Sequence, residues 1–391
     1  MTAERTKEAS GLPAYSAPSG GLETGLFGRV SEVIASELRP NVRDIDLGGV
    51  YPEAFMRRLG ETGAYARSTP KSLGGAGAGA AETIQVIEEV SKVCMSTGFC
   101  VWCQTVLGWY VQNGRSDFLK QEVLPEVIYG SALAGTGLSN PMKHFAGIER
   151  IKIGATPTDD GYVFNGSIPW VSNVGKSHFF AVVANCRRSG AYIMAVLRGD
   201  TPGVTLGDGG HFIALEGSST MSVRLKDVFV PGKNILADPA GPYVERIRPG
   251  FVLTQAGFGL GVISSCIALM QKANSGSRGD VNGFLEDGPE RIRSDYLALR
   301  EEIFSVADEI SCGEDDEAMM RPGLFRATVA ARLATSELAL RASQAAMLHH
   351  GAAGYRTGAA TERKLRESYF VAIVTPAMKH LKKLLHKLDG Q

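Results

Sequence analysis

Short alternating apolar segments punctuated by Gly and Pro occupy residues 131–238. On either side of them the apolar residues recur at three-to-four spacing instead. A strand repeats every two residues and a helix about every 3.6, so one stretch cannot satisfy both periods. The chain is therefore expected to be mainly α with a central β domain. Residues 22–130 read as an N-terminal helical domain, 131–239 as a middle β domain of barrel-like form, and 240–391 as a C-terminal four-helix bundle. Residues 1–21, rich in Ser, Gly, Ala and Pro, lack periodicity and read as a flexible tail. Strands are predicted at 150–155, 162–166, 178–186, 191–197 and 221–230, and the bundle helices at 243–273, 289–311, 322–349 and 361–388.

Lys plus Arg equal Asp plus Glu at 41 each, so no net field favours nucleic acid, and no nucleic-acid partner is expected. Residues 251–270 carry no charge over a spanning length. They also contain Thr254, Gln255, Ser264, Ser265 and several Gly, which fits a helix buried in the bundle better than a membrane span. Cys100 and Cys103 have Cys-x-x-Cys spacing, but no second pair or neighbouring His completes a metal site. They read as small buried hydrophobes on a helix, no metal is expected, and a reducing cytoplasm fits the cysteine usage.

The stretch Asn165-Gly166-Ser167-Ile168-Pro169-Trp170-Val171-Ser172-Asn173 carries the chemistry. Alternate strand residues face one side, so Trp170 and Ser172 present a flat apolar ring and a hydroxyl to one ligand. A redox isoalloxazine needs such a pair; the plainer alternative is a Trp buried in a small β-core. The Gly-rich run from Lys71 to Gly79 lacks the Gly-Lys-Ser ending of a triphosphate loop.

The 165–173 stretch resembles the Asn-Gly-x-Lys-x-Trp-Ile-Thr-Asn signature of the acyl-CoA dehydrogenase superfamily, with Ile168 for Lys and Ser172 for Thr. Leu73-Gly74-Gly75-Ala76-Gly77, Glu88-Glu89-Val90-Ser91-Lys92 and Lys226-Asp227-Val228-Phe229-Val230-Pro231 resemble further family segments in the same order. The resemblance implies the helical, β and four-helix-bundle arrangement and assembly as a homodimer or homotetramer. It implies a bound flavin, FAD with FMN as the alternative. Trp170 would pack on that flavin and Ser172 would hydrogen-bond near its N5 edge. Gly137, Leu138 and Ser139 would offer backbone contacts to the ring. His350-Gly351-Ala352-Ala353-Gly354-Tyr355 resembles the small-residue turn that approaches the dinucleotide from a neighbouring subunit, which assigns Gly351, Ala352 and Gly354. Arg278 is the nearest counterpart of the family's pyrophosphate-binding Arg.

The resemblance breaks at the chemistry. Counting from Arg366 places Thr375 where the family's catalytic Glu stands, and the alternative Glu position holds Phe251. Threonine cannot remove the proton alpha to a thioester. The superfamily includes monooxygenases that lack this Glu and take reduced flavin from a partner reductase. On that reading Ser172 supplies the hydroxyl near N5 and His380 a group near the substrate. The expected function is a flavin-dependent oxidoreductase leaning to reduced-flavin-dependent monooxygenation of a small organic substrate. The alternatives are an acyl-CoA dehydrogenase with a displaced base, Glu367 being nearest in sequence, served by an electron-transfer flavoprotein, and a non-catalytic flavin- or acyl-CoA-binding protein.

Overall fold

The computed structural model describes residues 25–275, 279–310 and 321–390. The tail expected over 1–21, Arg278 and Cys312 lie outside the described residues. The N-terminal region contains the helices Leu26–Val33, Val42–Gly48, Glu53–Glu61, Gly79–Val93, Met95–Asn113 and Leu124–Ile128. Met95–Asn113 is buried along its whole length, so its polar side chains must find internal partners. Gln104 Nε2 donates to the Val127 and Ala132 carbonyls, and Gln104 Oε1 accepts from the Ala134 amide. Cys100 and Cys103 are buried on this helix, and desolvation pushes both thiols up, away from redox or ligand chemistry.

Eight strands follow: β1 Ala134–Thr136, β2 Ile153–Thr158, β3 Gly161–Val171, β4 Phe179–Cys186, β5 Tyr192–Arg198, β6 Val204–Asp208, β7 Met221–Pro231 and β8 Ile235–Ala237. They form one mixed sheet in the order β6-β7-β3-β2-β4-β5-β8. One edge of β4 is shared: β1 pairs with residues 179–181 and β2 with residues 185 and 186, both parallel. Side chains alternate in β4 and β5, and both faces are buried. Phe180, Val182, Ala184, Ile193, Ala195 and Leu197 join the middle domain's own core, whereas Ala181, Val183, Met194 and Val196 join the core of the helices. The sequence analysis finds no strand at β1, β6 or β8. Ala-Gly-Thr has no intrinsic preference for a strand, and β1 exists only because β4 offers it an edge.

Of the four long helices expected in the C-terminal region, the first and the last are broken. The first becomes Ala240–Leu253 and Ala256–Asn274. Thr254 Oγ1 donates back to the Gly250 carbonyl at 2.7 Å at the break, a bond that competes with regular helix. The last becomes Ala360–Ile373 and Met378–Asp389. Pro376 has no amide to donate, and Val374 ends the preceding helix at an extended ψ of 142°. Pro289–Asp308 and Pro322–His350 complete the bundle. Among the described residues one helical stretch, Ala240–Asn274, is long and apolar enough to cross a membrane, and 78% of its apolar window is buried inside the protein.

An ion pair and a hydrogen bond to a buried carboxylate join the N-terminal and C-terminal helices. Glu88 accepts from Arg300 Nε at 3.0 Å. Glu367 pairs with Lys364 at 2.7 Å and accepts from the Met95 amide at 3.1 Å.

Candidate active site

The register of β3 against β7 slips between Ile168 and Val171. Both of those residues are buried, so the irregularity turns Pro169 and Trp170 outward. Trp170 is 53% exposed, which rules out the alternative of a core Trp. Its Nε1 donates to the Gly209 carbonyl at 3.0 Å, and Phe212 meets it edge-on at 6.5 Å. The indole is thus held by these two contacts while more than half of the residue stays exposed. The loop beside it is itself anchored: Arg366 donates to the Ile213 carbonyl at 2.7 Å while pairing with Asp46 at 2.7 Å.

Ser172 bridges antiparallel to Thr136, the last residue of β1. Its Oγ accepts from Thr220 Oγ1 at 2.8 Å, and Thr220 lies 2.7 Å from Ser218 Oγ. Because Thr220 donates, Ser172 keeps its own proton for another acceptor. The bridge also brings residues 137–139 beside Ser172. The Gly137 amide donates to the Ala181 carbonyl at 2.9 Å and the Leu138 amide to Thr136 Oγ1 at 3.4 Å. Those two amides are engaged inside the protein. Ser139 differs, for its hydroxyl lies 2.8 Å from Thr375 Oγ1.

Thr375 sits in the break of the last helix. Its carbonyl accepts from Gln255 Nε2 at 3.0 Å, and Gln255 Oε1 accepts from Arg332 Nε at 3.2 Å. Arg332 is fully buried, and its other nitrogens donate to Ser336 Oγ and the Val371 carbonyl. With no carboxylate beside it among the described residues, desolvation pushes the guanidinium down to about 9. A polar line therefore runs from the bundle interior to the hydroxyl pair Thr375–Ser139.

Thr375 and His380 open on one cleft between the helices Ser139–Phe145, Ala240–Leu253 and Met378–Asp389. Met142, Phe145, Val252 and Phe325 make its walls apolar, and Lys143, Glu245 and Arg248 add charge. The Ala377 amide donates to His380 Nδ1 at 3.4 Å, which leaves the ring proton on Nε2. Burial, then Lys379 and Lys143, hold His380 below its ordinary 6.5.

Neither customary carboxylate position is filled by a displaced neighbour. Phe251 is buried and packs edge-on against Trp102 at 5.0 Å. Glu367 is spent on Lys364 and the Met95 amide, so it is not a free base. Glu245 is the one carboxylate among the described residues lining the cleft.

Gly351, Ala352 and Gly354 lie on the turn after Pro322–His350, where Gly351 has φ +57° and Tyr355 is 79% exposed. Among the described residues no hydrogen bond joins this turn to Trp170 or Ser172 within one chain. Thr220, Gln255, Arg332 and Arg248 escape the sequence analysis. For Gln255 a signal existed, a lone amide inside an uncharged run, but its partners lie 77 and 120 residues away.

Residues 25–131 match the family described as acyl-CoA dehydrogenase, N-terminal domain. The chain is 28% identical over 360 residues to a probable acyl-CoA dehydrogenase, YngJ, of Bacillus subtilis (strain 168), covering 88% of this chain and 91% of that protein. Its fold is similar to butyryl-CoA dehydrogenase from Megasphaera elsdenii, with TM-score 0.81, 19% identity, and coverage of 94% and 97% of the two chains. It is also similar to dibenzothiophene monooxygenase (TdsC) from Paenibacillus sp. A11-2, with TM-score 0.78, 16% identity, and coverage of 92% and 95%.

Proposed function

We infer that this chain, a member of the acyl-CoA dehydrogenase superfamily and a flavin-dependent oxidoreductase, uses reduced flavin and dioxygen to oxygenate a small organic substrate in the cleft of Thr375 and His380. The observation that carries the reading is the hydroxyl pair Thr375–Ser139 where a dehydrogenase needs a carboxylate. A hydroxyl near neutral pH stays protonated and cannot remove a proton alpha to a thioester.

The residues present fit a flavin. The exposed indole of Trp170 suits a flat heteroaromatic ring, and Ser172 has a proton to donate to its edge. When bound, flavin supplies electron-pair transfer and, reduced, activates oxygen. Ser172, backed by Thr220 and Ser218, would hold the flavin's reacting edge through its free proton. In the Ser139–Thr375 pair one hydroxyl donates to the other, so the pair would offer the substrate one free proton and its remaining oxygen lone pairs. His380, with its proton on Nε2, would donate from that nitrogen to an oxygen in the cleft. The apolar walls of Met142, Phe145 and Phe325 limit water. We assign FAD, with Gly351, Ala352 and Gly354 of a neighbouring subunit and Arg278 against its dinucleotide half, and FMN as the alternative. Exposed Leu348, Tyr355, Tyr369 and Ile373 support a homodimer or homotetramer. A separate flavin reductase is the proposed electron source.

A second reading, dehydrogenation with a displaced base, is favoured by one observation, that Glu245 lines the same cleft. An electron-transfer flavoprotein would then be the partner. An anaerobic experiment separates the two. Flavin-loaded protein is mixed with a panel of acyl-CoAs and the oxidised flavin absorbance is followed. No bleaching under anaerobic conditions, together with oxygen incorporation into an aromatic substrate when reduced flavin and dioxygen are supplied in a second step, is expected. Bleaching by one acyl-CoA that disappears in Glu245→Gln would overturn the oxygenase reading in favour of the second.

A further inference from the structure

The cleft contains a cation with nothing to bind among the described residues. Arg248 projects from the helix Ala240–Leu253 into it, half-buried, with its guanidinium 3.7 Å above the Phe325 ring. Its Nε is buried without a hydrogen-bond partner. Burying a portion of a guanidinium costs free energy that stacking on one Phe returns only incompletely. Every neighbouring charge accounts for itself differently. Lys143 is paired with Glu149 at 3.0 Å, and His380 is held neutral by burial. Glu245, exposed on the same helix, acts on Arg248 through its charge but forms no ion pair within 4.0 Å among the described residues, and burial outweighs it. The stacked fork is thus fixed in direction, desolvated along one edge and without an acceptor. A planar fork in that state matches a carboxylate through two parallel N–H bonds.

We propose that Arg248 binds a carboxylate carried by the substrate, so that the cleft takes an apolar body with an anionic end. This rests on the cleft being the substrate site, as inferred above. The shared chemistry has two sources, a free organic acid or an acyl thioester whose far end is a carboxylate.

Calorimetry on the flavin-loaded protein tests it with matched pairs that differ only in the terminal group. The pairs are 3-phenylpropanoate against 3-phenylpropanamide, and glutaryl-CoA against valeryl-CoA. The carboxylate member of one pair is expected to bind about tenfold or more tighter, the usual size of a charge-assisted contact. Which pair shows the difference identifies the source. Arg248→Gln is expected to erase the difference while leaving the neutral partner's affinity within about twofold, the change of a peripheral contact. Arg248→Lys, which keeps the charge without the fork, retains a reduced preference and guards against misfolding of the Gln variant. Equal affinities in the wild type, a preference that survives Arg248→Gln, or no binding by either carboxylate overturns the proposal. Because the readout needs no turnover, carboxylate preference without oxygenation would overturn the oxygenase reading and leave Arg248 its role. Oxygenation with no carboxylate preference would do the reverse.

Discussion

His380 is a neutral imidazole at pH 7, because burial and two lysines, Lys379 and Lys143, disfavour its charged form. A folded-state pKa below 6.5 means that the neutral form dominates at neutral pH and is lost only as pH falls through the lowered value. An acid limb in the kcat profile is therefore expected below pH 6.5, and His380→Gln should remove that limb while lowering kcat by about 100-fold, the usual scale for a general acid–base group. An acid limb that persists in the variant would assign it to another group. At this scale the sequence is legible where partners are close along the chain. Trp170 and Ser172 announce themselves by spacing, as does Thr375 by its distance from Arg366. Arg332 does not, because what makes it notable is burial without a carboxylate, a property of three helices meeting.

The helix Ala256–Asn274 shows what element-scale packing demands. A Cβ on Gly257 would lie 2.8 Å from Ile87 Cβ, and one on Gly261 would lie 2.5 Å from Ser91 Cβ and 2.6 Å from the Glu88 carbonyl. These two glycines let the helix approach Gly79–Val93 backbone to backbone. Gly261→Ala must push the helices apart, since a carbonyl cannot rotate away. It is expected to cost about 1–3 kcal/mol, the scale of overpacking, and a melting curve by circular dichroism checks it. An unchanged Tm would mean that the contact relaxes freely. The existence of this helix is plain from its apolar run, yet its start is not. The break at Thr254 and Gln255 falls inside one uninterrupted uncharged run, so periodicity does not encode it. Short strands fail for a related reason: β1 and β8 have three residues each and owe their form to a partner.

At the scale of the whole molecule the helix–sheet–helix order follows from a change of period, and it is observed. The independence that such an order suggests is not. The sheet has two apolar faces at β4 and β5, one of which belongs to the helical core. Residues 132–238 expressed alone should therefore expose Ala181, Val183, Met194 and Val196 and fail to give dispersed NMR signals. A folded, monomeric fragment would show that the helices merely rest on the sheet. Glu88 with Arg300, and Glu367 with Met95 and Lys364, bind the N-terminal and C-terminal helices across the chain, so the full protein should melt in one transition.

The interruption at residues 374–377 places Thr375 between two helices rather than within one. Its side chain is thereby released from the demands of helix propensity, and its neighbours hold the position through a main-chain carbonyl, which every amino acid possesses. Selection could exchange the side chain here without redesigning the scaffold. An exchange of the side chain at residue 375 is therefore expected to leave the fold in place.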